Sequence, residues 1–269
     1  QTKAFEIRNL VFCEEQNVSK EIEFDGLDQF CNHYLAKINE LKLIRYTTSH
    51  PLDMDIELIK SHRDNKKLMP YLHLPIQSGS DNVLKMMNRK HSVKEYLNIV
   101  EKVRDYNPKI AISGDFIVGF PGETDKDHLS TLNLIKQINY AQAYSFKYSK
   151  RPGTPGSVFL NHVNEDTKKS RLYEVQELLR TQQLSFNIKT INSTMKVLVL
   201  KKGKKKNQYI GRSPFNQSVY FSSKNENLIG SFIDLNQFLE GVQDARYRFT
   251  TSDVEVSQSK SSTAQTIEP

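Results

Sequence analysis

Residues 113–124 read Ser-Gly-Asp-Phe-Ile-Val-Gly-Phe-Pro-Gly-Glu-Thr. The run 109–118 is apolar enough to predict a buried strand, and the glycines and proline that follow it predict a sharp turn. Thr124 and Asp127 have the spacing of a capping box, which predicts that a helix begins there. A strand, a glycine-rich turn and a helix in this order are typical of a βα unit in a parallel sheet.

The same alternation of strands and helices continues on both sides of this unit. Ser92 with Glu95 predicts a second capped helix. In the helix after Thr124 we expect a buried stripe of Leu129, Leu132, Ile135 and Ile138. A last helix should carry Leu172, Val175 and Leu179 and run on towards Ile188. Strands are predicted at 5–12, 41–46, 70–76, 109–118 and 142–148.

The pattern changes near Asn192 to short alternating runs separated by turn residues. Strands are predicted at 195–200, 208–212, 218–221 and 229–235, which together indicate a small all-β barrel. The segment 252–269 is rich in Ser, Thr, Gln and Lys and is predicted to be disordered. We therefore expect an α/β domain at 1–191, a small β domain at 192–251 and a disordered tail at 252–269.

Composition limits the classes of protein that this chain can belong to. No apolar run is long enough for a membrane span, and the first residues lack both an initiator Met and a signal-peptide pattern. We expect a missing upstream segment and no export. Cys13 and Cys31 are too few for a disulfide framework and match no close-set metal motif, which favours a reduced, cytoplasmic setting and no metal site. The net charge of +7 favours a polyanionic partner, although many solvated surfaces are equally basic.

Three clusters at strand ends are candidate ligand-binding sites, since βα loops gather at the carboxyl edge of parallel strands. Gln77, Ser78, Gly79 and Ser80 follow the strand 70–76, where the alternative is that Ser80 only caps the next helix. Asp115 and Glu123 lie in the glycine-rich cluster and have carboxylates that can accept hydrogen bonds, unless they are satisfied loop carboxylates. Arg151 is suited to bind a carboxylate or a phosphate, or else lies exposed in a rigid exit loop.

The small β domain carries a concentration of lysines in a predicted hairpin loop. With Tyr209, Phe215, Tyr220 and Phe221 interleaved, these lysines suit phosphate contacts beside stacking surfaces, although charge runs are more often solvated faces. We favour a nucleic-acid interface. Its expected residues are Lys201, Lys202, Lys204, Lys205, Lys206 and Arg212.

Four motifs in consistent order resemble those of radical-SAM methylthiotransferases. They are His-Leu-Pro-Ile-Gln-Ser-Gly-Ser at 73–80, Met-Asn-Arg-Lys at 87–90, Gly-Asp-Phe-Ile-Val-Gly-Phe-Pro-Gly-Glu at 114–123 and Arg-Pro-Gly-Thr at 151–154. The resemblance covers about residues 4–252. It implies a partial TIM-like barrel that lacks its first strand and binds S-adenosylmethionine, followed by a TRAM domain that binds RNA.

The resemblance also implies roles for individual residues. Gln77, Ser78, Gly79 and Ser80 would lie near the sugar or methionine part of the cofactor. The adenine would lie along 115–119, including Asp115, Ile117 and Gly119, with Arg89 and Arg151 as weaker candidates. Catalytic residues are not assigned.

The stretch 45–51, Arg-Tyr-Thr-Thr-Ser-His-Pro, is similar to the branch of the family that methylthiolates N6-isopentenyladenosine, and it differs from the ribosomal-protein and threonylcarbamoyladenosine branches. The activity implied is methylthiolation at C2 of N6-isopentenyladenosine next to the anticodon, by a radical-SAM mechanism. The implied partner is the tRNA anticodon stem-loop, and we expect a monomer.

The chain departs from the family pattern in its cysteines. The family holds one 4Fe-4S cluster with Cys-x3-Cys-x2-Cys and a second with three further cysteines, and neither set is present. Glu15 also stands where the family usually has a glycine. We therefore expect a fragment that is inactive alone. The alternatives are a non-catalytic RNA-binding protein that keeps the barrel remnant as a scaffold, and a decayed gene product that folds poorly.

Overall fold

The computed structural model describes residues 35–39, 41–46, 50–191 and 193–236. The chain divides into two compact units, Arg45–Thr190 and Gln1–Ile44 with Ile191–Pro269. Several predictions lie outside the described residues: the strand at 5–12, both cysteines, Glu15, the tail at 252–269 and residues 47–49 of the 45–51 motif.

The first unit, Arg45–Thr190, alternates helices with parallel strands. Its sheet has the order β1-β2-β3, and both pairs of strands are parallel. This confirms the predicted α/β class for the unit. In chain order its elements are α1 (Ile56–Asp64), β1 (Tyr71–His73), α2 (Asp81–Met86), α3 (Val93–Tyr106), β2 (Ala111–Val118), α4 (Asp125–Ile138), β3 (Gln142–Lys147) and α5 (Glu165–Lys189).

Two of the helices begin at the capping boxes that the sequence predicts. Ser92 Oγ accepts a hydrogen bond from Glu95 N at 3.2 Å, and the Glu95 carboxylate accepts one from Ser92 N at 2.7 Å. Thr124 and Asp127 exchange the same pair of bonds at the start of α4. Each such cap stabilises its helix by about 1 kcal/mol, because it satisfies backbone N–H groups that have no partner within the helix.

One side of the parallel sheet packs against helices through a continuous core. Phe116 of β2 meets Tyr140 edge to face with ring centroids 5.4 Å apart, and Tyr96 of α3 is fully buried beside them. The Tyr96 hydroxyl donates to Leu74 O at 2.9 Å and lies 2.8 Å from the Tyr140 hydroxyl. Burial of each aromatic ring stabilises the unit by about 1.5–3 kcal/mol, and the hydroxyl pair satisfies both phenol groups.

The predicted apolar stripe of α4 is wrong at its N-terminal end. Leu129 is 54% exposed, whereas His128, Thr131 and Leu134 are buried with Ile135 and Ile138. Thr131 can occupy a core position because its hydroxyl bonds to Asp127 O and accepts from Gly79 N. In α5, Val175 and Leu179 are buried as predicted, but Ile188 is 49% exposed.

The strand predicted at 41–46 is also wrong. This segment contains only a single bridge residue, Ile44. The other predicted strands of the first unit are confirmed with shorter bounds.

The described part of the second unit is a four-stranded antiparallel sheet. Its strands are β4 (Thr194–Lys202), β5 (Gln208–Arg212), β6 (Ser218–Ser222) and β7 (Phe232–Asn236), in the order β6-β5-β4-β7. A bulge between Val199 and Lys201 interrupts the pairing of β4 with β5. The core on one face of the sheet consists of Val197, Val199, Tyr209, Val219, Phe221, Leu228, Ile233 and Leu235. The sequence-predicted strands of this unit are confirmed.

Among the residues that the structure describes, no helix combines the length and the apolar character needed to cross a membrane.

Candidate functional site

The parallel sheet has two faces, and in the described part of the chain only one of them packs against the helices through the core. Successive residues of a strand point to opposite faces, and paired residues of neighbouring strands share a face. Phe116 and Val118 point to the helix side, where they are fully buried. The register therefore gathers the residues of alternate positions on the other side. We call this side the open face; it consists of His73, Ser113, Asp115, Ile117, Gln142, Tyr144 and Phe146.

A histidine, a serine and a carboxylate lie together on the open face. His73 Nδ1 is 3.0 Å from Ser113 Oγ, and His73 Nε2 is 3.4 Å from Asp115 Oδ2. The Asp115 side chain keeps 26% of its exposure, so one carboxylate edge is open to a ligand. Burial lowers the pKa of Arg89, and the negative charge of Asp115 opposes this shift. Asp115 is therefore a hydrogen-bond acceptor that lies beside the His73 imidazole and interacts electrostatically with the Arg89 guanidinium.

Two aromatic side chains extend the open face on β3. Tyr144 is 49% exposed and Phe146 is 55% exposed, and Gln142 Nε2 donates to the Tyr144 hydroxyl at 2.6 Å. Together with Asp115, they offer a flat apolar surface beside a hydrogen-bond acceptor. This combination suits a heteroaromatic ring. Ser113, Tyr144 and Phe146 were not predicted as site residues, although alternation along β2 and β3, with the register between them, places them on the face of Asp115.

Gln77 occupies a strained position where β1 leaves the sheet. Its φ is 80°, in the left-handed region that non-glycine residues rarely adopt. The backbone is held there because Gln77 N donates to Asp115 O at 3.0 Å and Ile117 N donates to Gln77 O at 2.9 Å. The pairing gains one extra residue on the β1 side between His73 and Gln77, which is a local bulge.

Ser78, Gly79 and Ser80 face helix α4. Ser78 is fully buried with its hydroxyl 3.3 Å from Thr131 Oγ1, and Gly79 N donates to the same oxygen at 3.0 Å. Ser80 caps α2 and donates to Asp127 Oδ1 at 2.5 Å. A Cβ atom on Gly79 would lie 2.6 Å from Thr131 Cα. These three residues fix the loop against α4, and the hydroxyls of Ser78 and Ser80 and the N–H of Gly79 already have protein partners.

The glycine-rich turn after β2 is closed by a buried ion pair. Gly119, at φ 71°, donates its N–H to Glu123 Oε2 at 2.6 Å. Arg171 of α5 donates to the same Glu123 oxygen at 2.8 Å and to Asp125 at 2.7 Å. Burial raises the pKa of Glu123, while Gly119 N–H and Arg171 oppose the shift. Glu123 is therefore a loop carboxylate bonded through Oε2, as the alternative interpretation expected, although its Oε1 is buried without a hydrogen-bond partner among the described residues; Asp115 is not enclosed in this way.

Arg151 lies apart from these groups in sequence and at the surface. Its side chain is exposed, and its carbonyl accepts from Thr154 N at 3.3 Å and Thr154 Oγ1 at 2.8 Å. These contacts involve the carbonyl of Arg151 and fix the backbone of the loop; they do not involve its guanidinium.

A pair of histidines lies near Arg89. His91 Nδ1 is 3.3 Å from His50 Nε2, and the rings meet edge to face. Burial, reinforced by His50 and Arg89, lowers the pKa of His91 to about 4. His91 is therefore neutral at physiological pH. Of the 45–51 motif, residues 47–49 lie outside the described part of the chain.

The lysine hairpin of the second unit joins β4 to β5. All five of its lysines are exposed, and Gly203 N closes the loop by donating to Gln208 O at 2.6 Å. Arg212 differs from the lysines because it is half-buried and donates to Asn216 O at 3.1 Å and Ser218 Oγ at 2.7 Å. We use the name lysine hairpin for Lys201, Lys202, Lys204, Lys205 and Lys206.

Two of the aromatic residues expected to stack on a ligand beside the lysines belong to the core instead. Tyr209 and Phe221 are 3% and 1% exposed and stack on each other with centroids 5.7 Å apart. Both point inward because their strand positions alternate with those of Ile210 and Tyr220. Tyr220 remains half-exposed on the opposite face.

The residues present do not fit a 4Fe-4S cluster bound as the family pattern requires. The described residues contain no group of three or more His, Cys, Asp or Glu side chains that could hold a metal ion. The whole sequence has two cysteines, one fewer than the three thiolates of a single site. No step of a reaction is therefore assigned to a cluster on this chain.

Comparison with known proteins identifies relatives for most of the chain. A family model of the radical SAM superfamily matches residues 22–135. A tRNA-2-methylthio-N(6)-dimethylallyladenosine synthase from Rickettsia canadensis is 52% identical over 202 residues, which cover 75% of this chain and 45% of that protein. The protein of the same name from Ehrlichia chaffeensis is 53% identical over 195 residues, covering 72% and 44%. The chain thus spans less than half the length of these relatives.

Among solved structures, an archaeal Elp3 from Methanocaldococcus infernus with an N-terminal deletion is similar at 16% identity. The match covers 51% of this chain and 30% of that one, with a TM-score of 0.34. This score is too low to carry an argument about the fold.

Proposed function

The chain belongs to the radical-SAM tRNA methylthiotransferases, and from this premise we propose that it takes part in methylthiolation of tRNA. The proposed reaction is the family's own: sulfur insertion and methyl transfer at C2 of N6-isopentenyladenosine next to the anticodon. We further propose that the three parallel strands are part of a TIM-like barrel and that the antiparallel sheet is part of a TRAM domain. We also propose that the chain is a monomer and that it is located in the cytoplasm.

The open face is the observation that carries this proposal. It combines the half-exposed Asp115 carboxylate with the exposed rings of Tyr144 and Phe146. These groups fit the chemistry of S-adenosylmethionine, which has an adenine ring, ribose hydroxyls and an amino group that donate or stack. When bound, the cofactor would supply the methyl group.

The proposed cofactor-binding residues divide by their contacts. Asp115, Ile117 and Gln77 lie where a ligand can reach them along the carboxyl ends of β1 and β2. Ser78, Gly79, Ser80 and Gly119 would act by shaping the two loops, because their polar groups bond to α4 or to Glu123. Arg151 would bind the cofactor carboxylate from its exposed loop.

Equilibrium dialysis of the whole chain against S-adenosylmethionine tests the cofactor site. We expect Asp115→Asn to weaken binding about tenfold, because a hydrogen bond to a charged group contributes about 1.5–3 kcal/mol. Asp105→Asn, exposed on α3, is the matched control and should bind as the unmodified chain does. If the Asp115 and Asp105 variants bind S-adenosylmethionine with equal affinity, the open face is not the cofactor site.

A tRNA partner is proposed from the exposed lysine hairpin, with Arg212 as a structural neighbour. Charge neutralisation of phosphates makes binding fall steeply with salt. In filter binding with tRNA, changing Lys204, Lys205 and Lys206 to Gln should lower the salt slope by about 0.9 per lost phosphate contact. Changing the exposed Lys102, Lys126 and Lys136 of the other unit is the matched control. Binding that does not depend on salt would contradict the proposal.

A second candidate function is a non-catalytic RNA-binding protein. It is favoured by five exposed lysines in a chain that has only two cysteines. The two assays separate the candidates. Binding of tRNA without binding of S-adenosylmethionine supports the non-catalytic protein, whereas binding of both supports a part in the methylthiolation reaction.

A further inference from the structure

We propose that the second unit binds unpaired RNA bases on the outer face of its sheet, beside the phosphates that contact the lysine hairpin. This rests on the proposed RNA binding and specifies its substrate as single-stranded or looped RNA. The surface concerned, called the outer strip, consists of Leu198, Ile210, Arg212, Tyr220 and Phe232.

The strand register brings these side chains together on one face. Leu198 pairs with both Arg212 and Phe232, and Ile210 pairs with Tyr220. The neighbouring positions Val197, Val199, Tyr209 and Val219 point the other way, where they form the core. The outer strip therefore crosses all four strands, from Tyr220 on one edge to Phe232 on the other.

Apart from Arg212, the side chains of the outer strip are largely apolar, although they do not belong to the core. Phe232 is 37% exposed, and Leu198, Ile210 and Tyr220 are half-exposed. The core of this unit is complete on the inner face, with Val197 and Val199 fully buried. With strands about 4.8 Å apart, four strands span roughly 15 Å, which is wide enough for more than one base.

Arg212 lies in the middle of the strip, and its guanidinium is held in place by hydrogen bonds. Its guanidinium is fixed by Asn216 O and Ser218 Oγ, so its planar group is not free to turn towards bulk water. A fixed guanidinium plane and aromatic rings are the surfaces on which bases stack.

Charge complementarity indicates that the occupant of the strip is a nucleic acid. Lys201 pairs with Ile210, which pairs in turn with Tyr220, so a lysine of the hairpin lies in the same row as an aromatic ring. An apolar strip next to five exposed lysines suits a polyanion that also carries flat rings. In a duplex the bases are stacked inside and only the phosphates would be engaged, which would leave the aromatic rings unused. Unpaired bases use both surfaces.

Fluorescence anisotropy with the whole chain tests the proposal, using a labelled 12-nucleotide single-stranded RNA and a blunt duplex of equal length. The variant Tyr220→Leu/Phe232→Leu should bind the single strand about tenfold to a hundredfold more weakly, because each stacked base contributes about 1–3 kcal/mol. Duplex binding and the salt slope should stay unchanged. Tyr220→Phe should retain single-strand binding, and Tyr173→Leu, on the exposed surface of α5, is the matched control.

The outcomes distinguish stacking from RNA binding as such. If the lysine variant weakens binding but the aromatic variant does not, the RNA-binding function stands and the stacking proposal is overturned. Equal affinity for the duplex and the single strand also overturns it. If the unmodified chain binds neither RNA, the RNA-binding function itself fails. Circular dichroism of each variant checks that the sheet is intact.

Discussion

His62 is a buried histidine in α1 whose ring lies in a restricted environment. Its Nε2 hydrogen-bonds to the Tyr46 hydroxyl, and its Nδ1 has no partner. Burial lowers the pKa of His62 to about 4. A neutral ring is therefore built into the folded state, and protonation must oppose folding.

The stability of the first unit should fall as the pH falls from about 6.5 to about 4. In that window the unfolded chain binds a proton at His62 and the folded chain does not, so protonation lowers the free energy of the unfolded state relative to the folded state. The shift corresponds to about 3 kcal/mol. Urea unfolding at several pH values measures it.

Comparison with two histidine variants isolates this effect. His62→Gln should reduce the pH dependence between about pH 4 and 6.5 and leave the part that comes from His91, whose pKa is also lowered to about 4. His162→Gln, at an exposed position, should leave it as in the unmodified chain. An unchanged profile for His62→Gln would mean that other groups set the acid limit.

Single residues show which predictions local sequence supports. Ser92 and Thr124 cap their helices as predicted, because a cap depends on residues within one turn. Leu129 was assigned to the core on spacing alone, but it lies two residues from Thr131, on the other side of the helix. Thr131 is buried because of its contact with Gly79, and that contact joins positions far apart in sequence.

At the scale of elements, α5 is tied to the turn between β2 and α4 through one side chain. The Arg171 guanidinium donates to Glu123 O at 3.1 Å, to Glu123 Oε2 at 2.8 Å and to Asp125 Oδ1 at 2.7 Å. The Arg171 and Glu123 side chains are 7% and 1% exposed. Since Glu123 also accepts from Gly119 N–H, the ion pair holds the glycine-rich turn in its strained conformation.

Arg171→Met should lower the free energy of unfolding by about 3–5 kcal/mol, because it leaves the Glu123 charge buried without a partner. Lys169→Met is the control on the same helix and should cost at most about 0.5 kcal/mol, since its pair with Asp166 is solvent-exposed. Chemical denaturation measures both.

A double variant tests whether the charge, rather than the packing, sets this cost. Arg171→Met/Glu123→Leu should be more stable than Arg171→Met alone, because no unpaired charge then remains. If the double variant instead has a lower free energy of unfolding than Arg171→Met, the losses from the two changes add. The packing contacts of the side chains then matter more than the ion pair.

The element scale also sets the limit of prediction for the candidate site. The order and type of most strands and helices follow from hydrophobic periodicity, and the site loops were located at the ends of 70–76 and 109–118. The open face was not predicted, because its composition depends on the register between β2 and β3, which pairs Asp115 with Tyr144. Register between parallel strands is decided by packing of the intervening helix and not by any local motif.

At the scale of the whole molecule, one polypeptide carries both the open face, which we propose binds a cofactor, and an antiparallel sheet with a lysine-rich hairpin. The change from helical to strand periodicity near residue 192 was visible in the sequence, and the compact units divide at Ile191. The positive charge of the chain, which is +7 net, is unevenly distributed, because the lysine hairpin alone contributes five positive charges to the second unit. The distribution of charge, rather than its total, is therefore what supports the proposed RNA-binding surface.

The cysteine content decides what the whole chain can do by itself. A 4Fe-4S cluster with an open iron site needs three thiolates, and the sequence supplies only Cys13 and Cys31. Anaerobic reconstitution with iron and sulfide should therefore leave the purified chain without the broad visible absorption of a 4Fe-4S cluster. It should also produce no 5′-deoxyadenosine from S-adenosylmethionine under reducing conditions. A full-length relative treated in parallel is the positive control. If the chain instead acquires four irons and Cys13→Ser/Cys31→Ser abolishes them, the cluster has ligands other than the family's three cysteines, and the expectation that the chain binds no cluster by itself is wrong.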